Sequence, residues 1–497
     1  MNKKLFTYFF IIGTFVVFAL LPIFNYHIDR WRVLHSDYEH YYLGLMSNKT
    51  FLKTKYLIEY PNKYSTILMG SSNGGFIDAT KISPNTYNMK YNFGLLAIHL
   101  QNIKTLLKNG VNIKNLWIGI NDYIIWKNPK DYKNSFERRP YRADFVEDFK
   151  TYMFYLFKKP DITDFYILRG YYQLIFSDII TNPHPHTEAK IRDIEHRKHI
   201  DIWKEHLKKA KPILLHYDDT KYRIDEAIKE ISELKILCKK NNINLKLFFY
   251  PAFYKSYLSY NQNKIIEFKK KLAKVTDFFD FYRLNDYAYD ATMWQDSMHF
   301  SYTMGLFIIK SIKENKFLVT KNNISNHLKI LKEEAMRHIL INQKKLFKRV
   351  ENNKEIVPIY QILDILTKKT IFDLKNKKNI FIKNNDFNIR YESKDIILST
   401  RGNDPTIILN NLRTKAPRVF LLVRIKSNKS TFFKLYYKKN RLDKYSENST
   451  YMYHLKKGLN RFNLVIPAEY INNSLRVDIV DKAGIYTIEK FKIIESK

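Results

Sequence analysis

The sequence predicts an α/β protein whose centre is a three-layer α/β/α parallel sheet, with a membrane-crossing helix before it and a β-sandwich after it. Three observations carry this. Between residues 64 and 282, short apolar runs alternate with amphipathic helical spacing. Residues Leu5 to Phe24 form an uncharged apolar stretch. Beyond residue 370 the chain becomes a series of short strands without helices.

The apolar stretch is roughly twenty residues long, about one bilayer crossing. Asn2-Lys3-Lys4 precedes it, and its exit, Leu21-Pro22-Ile23-Phe24-Asn25, has no small-x-small cleavage pattern. The reading is an uncleaved signal anchor over 1–28, with the N-terminus cytoplasmic. The rest of the chain then lies outside the cytoplasmic membrane, although Arg30 and Arg32 work against that orientation.

A domain over 29–320 follows. Tyr64–Met69 reads as a buried strand stopped at Gly70, and Asn88–Phe93 as a weaker strand stopped at Gly94. His99–Lys108 has helical spacing, closed by Asn109-Gly110. Leu116–Ile120 is a strand ending in Asn121-Asp122. Glu226–Lys240 and Ile265–Lys274 are helices, Leu245–Tyr250 a strand halted by Pro251, and Phe278–Tyr282 another strand. Apolar strands alternating with helices imply a sheet covered on both faces. An insertion at about 127–220, rich in Tyr, Phe, Lys and Arg, interrupts the alternation; such insertions commonly become lids or partner surfaces. Its His184, His186, His196 and His199 lack the spacing of a metal site.

Residues 321–370 are expected to be a helical connector, on the apolar spacing from Leu328 to Leu346. Over 371–497, strands at 380–382, 407–409, 419–423, 432–437, 462–466 and 475–479 imply a sandwich. Tyr436, Tyr437, Tyr445, Tyr451 and Tyr453 are candidates for stacking on sugar rings, or for cross-strand pairs.

The composition excludes a disordered chain, with 45% hydrophobic and 15% aromatic residues. The formal net charge of +36 is spread over the chain, with many Asn and Ile and only 13 Gly. No basic block with interleaved aromatics forms a nucleic-acid module, so no nucleic-acid partner is expected. Cys238 is the only cysteine, which rules out an intramolecular disulfide and a thiolate metal site. It falls at an apolar helical position.

Three distant segments end in residues suited to acyl transfer: Gly70-Ser71-Ser72, Gly119-Ile120-Asn121-Asp122 and Asp296-Ser297-Met298-His299. Such chemistry needs a nucleophile, a base, an orienter for the base, and donors for an oxyanion. A Ser at the strand-to-helix turn supplies the first. His299 can take its proton, and Asp296 can hold the far ring nitrogen. The Asn121 amide, with the backbone N–H groups of Ser72 and Gly94, can form the hole. Ser71 and Asp122 are possible accessory residues.

These positions resemble the SGNH (GDSL-like) hydrolases over about 60–315. The family has a Ser after Gly at its first strand, a Gly after the second, Gly-x-Asn-Asp after the third and Asp-x-x-His near the end. The resemblance implies that Ser72 is the nucleophile, Gly94 and Asn121 oxyanion donors, and Asp296 and His299 the dyad. Ser71 stands where hydrolase members usually carry Asp. The Gly-Ser-Ser start, the anchor, and Trp294, Asp296, His299 and Phe300 in sequence are similar to a membrane-tethered branch serving envelope acylation, such as the alginate acetylation and teichoic acid D-alanylation proteins.

The resemblance implies an extracytoplasmic O-acyltransferase, most simply acetyl, acting on a cell-surface polysaccharide. An integral-membrane acyl-transferring partner would supply the donor, since nothing resembles a coenzyme A or nucleotide site and no cofactor is expected. An esterase with the same residues, and a non-catalytic glycan-binding component, are the alternatives.

Overall fold

In the computed structural model the described residues are 3–35, 47–132, 135, 136, 138–168, 188–209, 221–258, 260–346 and, with short gaps, 366–496. They divide into two compact units: Met1–Tyr257 with Lys264–His327, and Leu258–Asn263 with Leu328–Lys497.

The first unit is mixed α/β. Its sheet has six strands: β1 (Thr66–Met69), β2 (Thr86–Asn88), β3 (Asn115–Ile120), β4 (Asn244–Phe249), β5 (Phe278–Asp280) and β6 (Leu318–Val319). The spatial order is β2-β1-β3-β4-β5-β6. All neighbours pair in parallel except β5 and β6. Every residue of β1 is buried, and all of β3 beyond Asn115. This explains their continuous apolar character, since parallel strands are covered on both faces. Helices Leu96–Lys108, Ile224–Lys240, Gln262–Val275 and Tyr302–Lys313 lie in the connections between strands. The first ends at Asn109, with Gly110 at φ +74° in the left-handed conformation that closes a helix. Cys238 is buried, and burial pushes its thiol up to about 11.

The strand expected at Asn88–Phe93 is corrected. β2 ends at Asn88, because the Asn88 side chain takes over the local backbone bonds. Its Oδ1 accepts from Lys90 N at 3.0 Å and its Nδ2 donates to the Gly74 carbonyl at 2.8 Å. Lys53 Nζ then donates to the Asn88 and Lys90 carbonyls. Residues 89–95 therefore form a loop that still follows β1, through Met89 N to Leu68 O and Tyr91 N to Gly70 O.

Helix Lys3–Ile28 contains the one span among the described residues long and apolar enough to cross a membrane, Thr7–Ile28, with mean hydropathy 2.3. Described parts of the insertion form helices Phe145–Leu156, Ile162–Leu168, Glu188–Lys198 and Ile200–Lys209. His184 and His186 lie outside the described residues.

Besides Leu258–Asn263, the second unit takes in helix Ile324–Leu346 from Leu328 onward. A strand at Thr367–Asp373 starts inside the stretch expected to be helical connector, drawn out by pairing with Gly484–Ser496. Two antiparallel sheets follow. One orders Gly458–Pro467, Arg418–Ser427, Gly484–Ser496, Ile396–Thr400 and Phe387–Tyr391; the other orders Thr450–Leu455, Thr431–Tyr437, Leu475–Asp478, Thr406–Leu409 and Ile380–Ile382. Residues from both, such as Leu421, Val423, Leu464, Leu435 and Val477, share one apolar core, giving a sandwich-like arrangement.

Candidate active site

Three carboxyl ends of neighbouring strands meet where an open α/β sheet places its ligands. β1 runs into Gly70-Ser71-Ser72, and Ser72–Phe76 forms a short 3-10 turn. Ser71 is buried and caps that turn, its Oγ accepting from Asn73 N. The Tyr123 hydroxyl also interacts with Ser71 and sits 3.5 Å from the Gly94 carbonyl oxygen. Ser71 is thus tied into the frame, and Ser72 is the hydroxyl left facing outward.

Ser72 Oγ lies 2.9 Å from His299 Nε2. His299 Nδ1 lies 2.8 Å from Asp296 Oδ2. The other Asp296 oxygen accepts from the backbone N–H of Met298 and of His299 itself, at 2.7 and 2.8 Å. Burial pushes the Asp296 carboxyl up, but the His299 ring and these two amides outweigh it and hold it below its ordinary value. The carboxylate is the form that fixes the ring with its proton on Nδ1 and a free lone pair on Nε2.

The loop carrying this pair is pinned at both ends. Trp294 and Phe300 are fully buried and bridge to one another across the loop. Gln295 N donates to the His299 carbonyl at 2.9 Å. Ser301 then caps helix Tyr302–Lys313, whose Gly305 packs so closely that a Cβ there would stand 2.2 Å from the Phe76 carbonyl oxygen. The base loop and the nucleophile turn are therefore held against each other by backbone contact.

Gly94 sits on the end of β1. A Cβ on it would lie 2.5 Å from the Gly70 carbonyl oxygen and 2.8 Å from His99 Nε2. The preceding Phe93 has φ +54°, a costly conformation for an aromatic residue and of the kind found at functional sites. Among the described residues, the backbone N–H groups of Ser72 and Gly94 have no hydrogen-bond acceptor. Asn121 stands at the end of β3, half-buried, and its Oδ1 is buried with no partner among the described residues. Burial holds His99 down to about 3, so its ring is neutral.

Asp122 belongs to a different network. Its carboxylate accepts from the Tyr282 hydroxyl at 2.9 Å. Tyr282 in turn adjoins the fully buried Lys269–Asp280 ion pair, whose aspartate also bonds His327. The residue keeps some exposed surface, while its carboxyl is closely surrounded by protein; burial pushes it up to about 6.

Several contributors escaped sequence reading. Tyr250, just past β4, lies under the nucleophile turn: a Cβ on Gly70 would stand 2.1 Å from its Oη, and one on Gly119 2.1 Å from its Cζ. Arg192, from the insertion, places its guanidinium 4.7 Å from the Phe76 ring centre, and Phe76 lies 5.5 Å from the His299 ring. His196, on the same helix, bonds the Trp294 carbonyl at 3.0 Å. Among the described residues no group of His, Cys, Asp and Glu is arranged to hold a metal ion.

In the second unit the tyrosines pack among themselves. Tyr437 stacks on Tyr470 at 4.2 Å and Tyr453 on Phe462 at 4.1 Å. Tyr451 meets Tyr437, Tyr436 bonds Glu447, and Tyr445 bonds Ser474.

No family model and no curated protein matches the chain. Among solved structures, it is similar over 26% of its length to "BiXyn10A CBM1 APO", covering 100% of that chain at 11% identity and TM-score 0.20. A family 29 carbohydrate-binding module from Piromyces equi matches over 24% of this chain and 83% of its own, at 12% identity and TM-score 0.19. CsCBM6-3 from Clostridium stercorarium, in complex with cellobiose, matches over 26% and 97%, at 8% identity and TM-score 0.19.

Proposed function

We propose that this chain is a membrane-anchored, extracytoplasmic serine O-acyltransferase of SGNH type, most simply an acetyltransferase, that modifies a cell-surface polysaccharide. The observation that carries the reading is the chain of contacts from Ser72 Oγ through the His299 ring to Asp296, at 2.9 and 2.8 Å. That order of hydroxyl, imidazole and carboxylate activates a serine for covalent catalysis.

In the first half-reaction Ser72 Oγ attacks the acyl carbonyl of an ester or thioester donor while His299 Nε2 takes the hydroxyl proton. The oxyanion is held by the N–H groups of Ser72 and Gly94 and by the Asn121 amide. Collapse breaks the bond to the donor's leaving oxygen or sulfur, which receives the proton from His299, and the acyl group stays on Ser72. In the second half, a sugar hydroxyl loses its proton to His299 and attacks the acyl-enzyme. A new tetrahedral centre collapses, the sugar ester departs, and His299 returns the proton to Ser72. Asp296 keeps the imidazolium oriented throughout. An integral-membrane partner would supply the donor, with helix Lys3–Ile28 keeping the domain at the same surface. If water replaces the sugar hydroxyl, the same residues make an esterase.

The test is the acetyl content of surface polysaccharide in a strain carrying Ser72→Ala. A fall supports transfer, a rise supports hydrolysis, and no change contradicts both.

A further inference from the structure

We infer that helices Phe145–Leu156 and Ile162–Leu168 form a second membrane contact, lying against the surface of the phospholipid bilayer that Lys3–Ile28 crosses. This rests on the membrane-anchored reading above. The two helices are fixed to the exit end of the spanning helix. Asn25 Nδ2 donates to the carbonyls of Leu156 and Lys158, both at 2.8 Å. The Phe24 ring lies 5.4 Å from that of Phe165. Just beyond, Arg30 pairs with Asp161 at 2.7 Å.

On this fixed platform, large apolar side chains point outward. Phe145 is 86% exposed, Ile162 67%, Phe149 52% and Phe165 49%. Val146 and Phe157 are exposed as well. Phe145 and Phe149 are four residues apart, so they share one face of their helix, and Phe157 caps its C-terminal end. The Phe145 and Phe149 rings stack on each other at 6.2 Å, while Thr151 and Tyr155 bury the opposite face. Contiguous apolar surface of this kind marks an interaction site.

Two features choose the lipid surface as its occupant. The Phe24–Phe165 contact makes the patch continuous with the apolar surface of the spanning helix, at the level where that helix leaves the hydrocarbon. The stripe also stays apolar from Phe145 to Phe157, about 18 Å along the helix axis. A helix standing away from the membrane would need apolar residues only at its foot; one lying in the interface needs them throughout.

The test uses the full chain with Cys238 replaced by Ala, reconstituted in liposomes of phosphatidylethanolamine and phosphatidylglycerol containing nitroxide-labelled lipid. A fluorophore is attached in turn at Gly13→Cys in the spanning helix, at Phe149→Cys, and at Ile236→Cys, an exposed position on helix Ile224–Lys240. The expected result is quenching at positions 13 and 149 several times that at 236. Quenching at 13 with position 149 no different from 236 overturns the second contact and leaves the anchor standing. No quenching at either removes the anchor reading and this inference with it. Shielding of position 149 in native membrane vesicles but not in protein-free liposomes identifies a protein partner and also overturns it.

Discussion

The ring of Tyr250 fills the space that a side chain on Gly119 would need, its Cζ 2.1 Å from where a Cβ would stand. Gly70 makes the same allowance for the Tyr250 hydroxyl. Two glycines on neighbouring strands thus let one buried ring support the turn that carries Ser72. A Gly119→Ala substitution cannot be absorbed by a rotamer change, because Tyr250 is fully buried. It should cost about 1–3 kcal/mol of stability and lower acyl-transfer or esterase activity. Thermal unfolding and turnover of a model ester, measured together, check this; an unchanged Tm would contradict it.

The buried Lys269–Asp280 pair predicts a larger loss. Both side chains are inaccessible to solvent. Burial pushes the Asp280 carboxyl up, but the Lys269 charge and the His327 ring outweigh it and hold it down to about 2. Lys269→Met strands that carboxylate with His327 and should cost about 3–5 kcal/mol. A denaturant midpoint lowered accordingly is the expected readout.

Asp122 predicts the opposite sign. Its carboxyl is raised from 3.8 to about 6, so the folded protein holds that proton more tightly than the unfolded chain does. The resulting stabilisation is complete below pH 3.8 and is lost as pH rises through 6. Asp122→Asn keeps an oxygen for the Tyr282 hydroxyl and removes the titration. The variant should gain about 2 kcal/mol on its parent between pH 4 and pH 7. Unfolding curves across that range check it, and a parallel pair of pH profiles would contradict it.

The parts of the site legible in sequence are those built from local chemistry. Gly70-Ser71-Ser72 announces a strand stopped by a turn, and Asp296 to His299 places both members of a hydrogen-bonded pair within one loop. The expectation for Gly94 rests on the family resemblance and not on a strand end. Asn88 ends β2 early with its own side chain, and five residues of loop intervene before Gly94. Tyr250 was hidden because its role is a contact with Gly70 and Gly119 across three strands, and the sequence shows only an apolar run before Pro251. The helix carrying Arg192 and His196 reads locally as a charged surface helix; only tertiary packing brings it to Phe76 and Trp294. In the second unit, the strand Gly484–Ser496 escapes sequence reading because Glu489 and Lys490, side by side, break its apolar alternation where the register shifts.

The central claim is that Ser72 is an activated nucleophile. Its most direct test is to treat the full chain with a serine-directed phosphonate and locate the adduct by peptide mass spectrometry. The expected result is one adduct, on Ser72, absent from Ser72→Ala and strongly slowed in His299→Ala. Undiminished labelling of Ser72→Ala, or an adduct confined to Ser71 or any other residue, would contradict it.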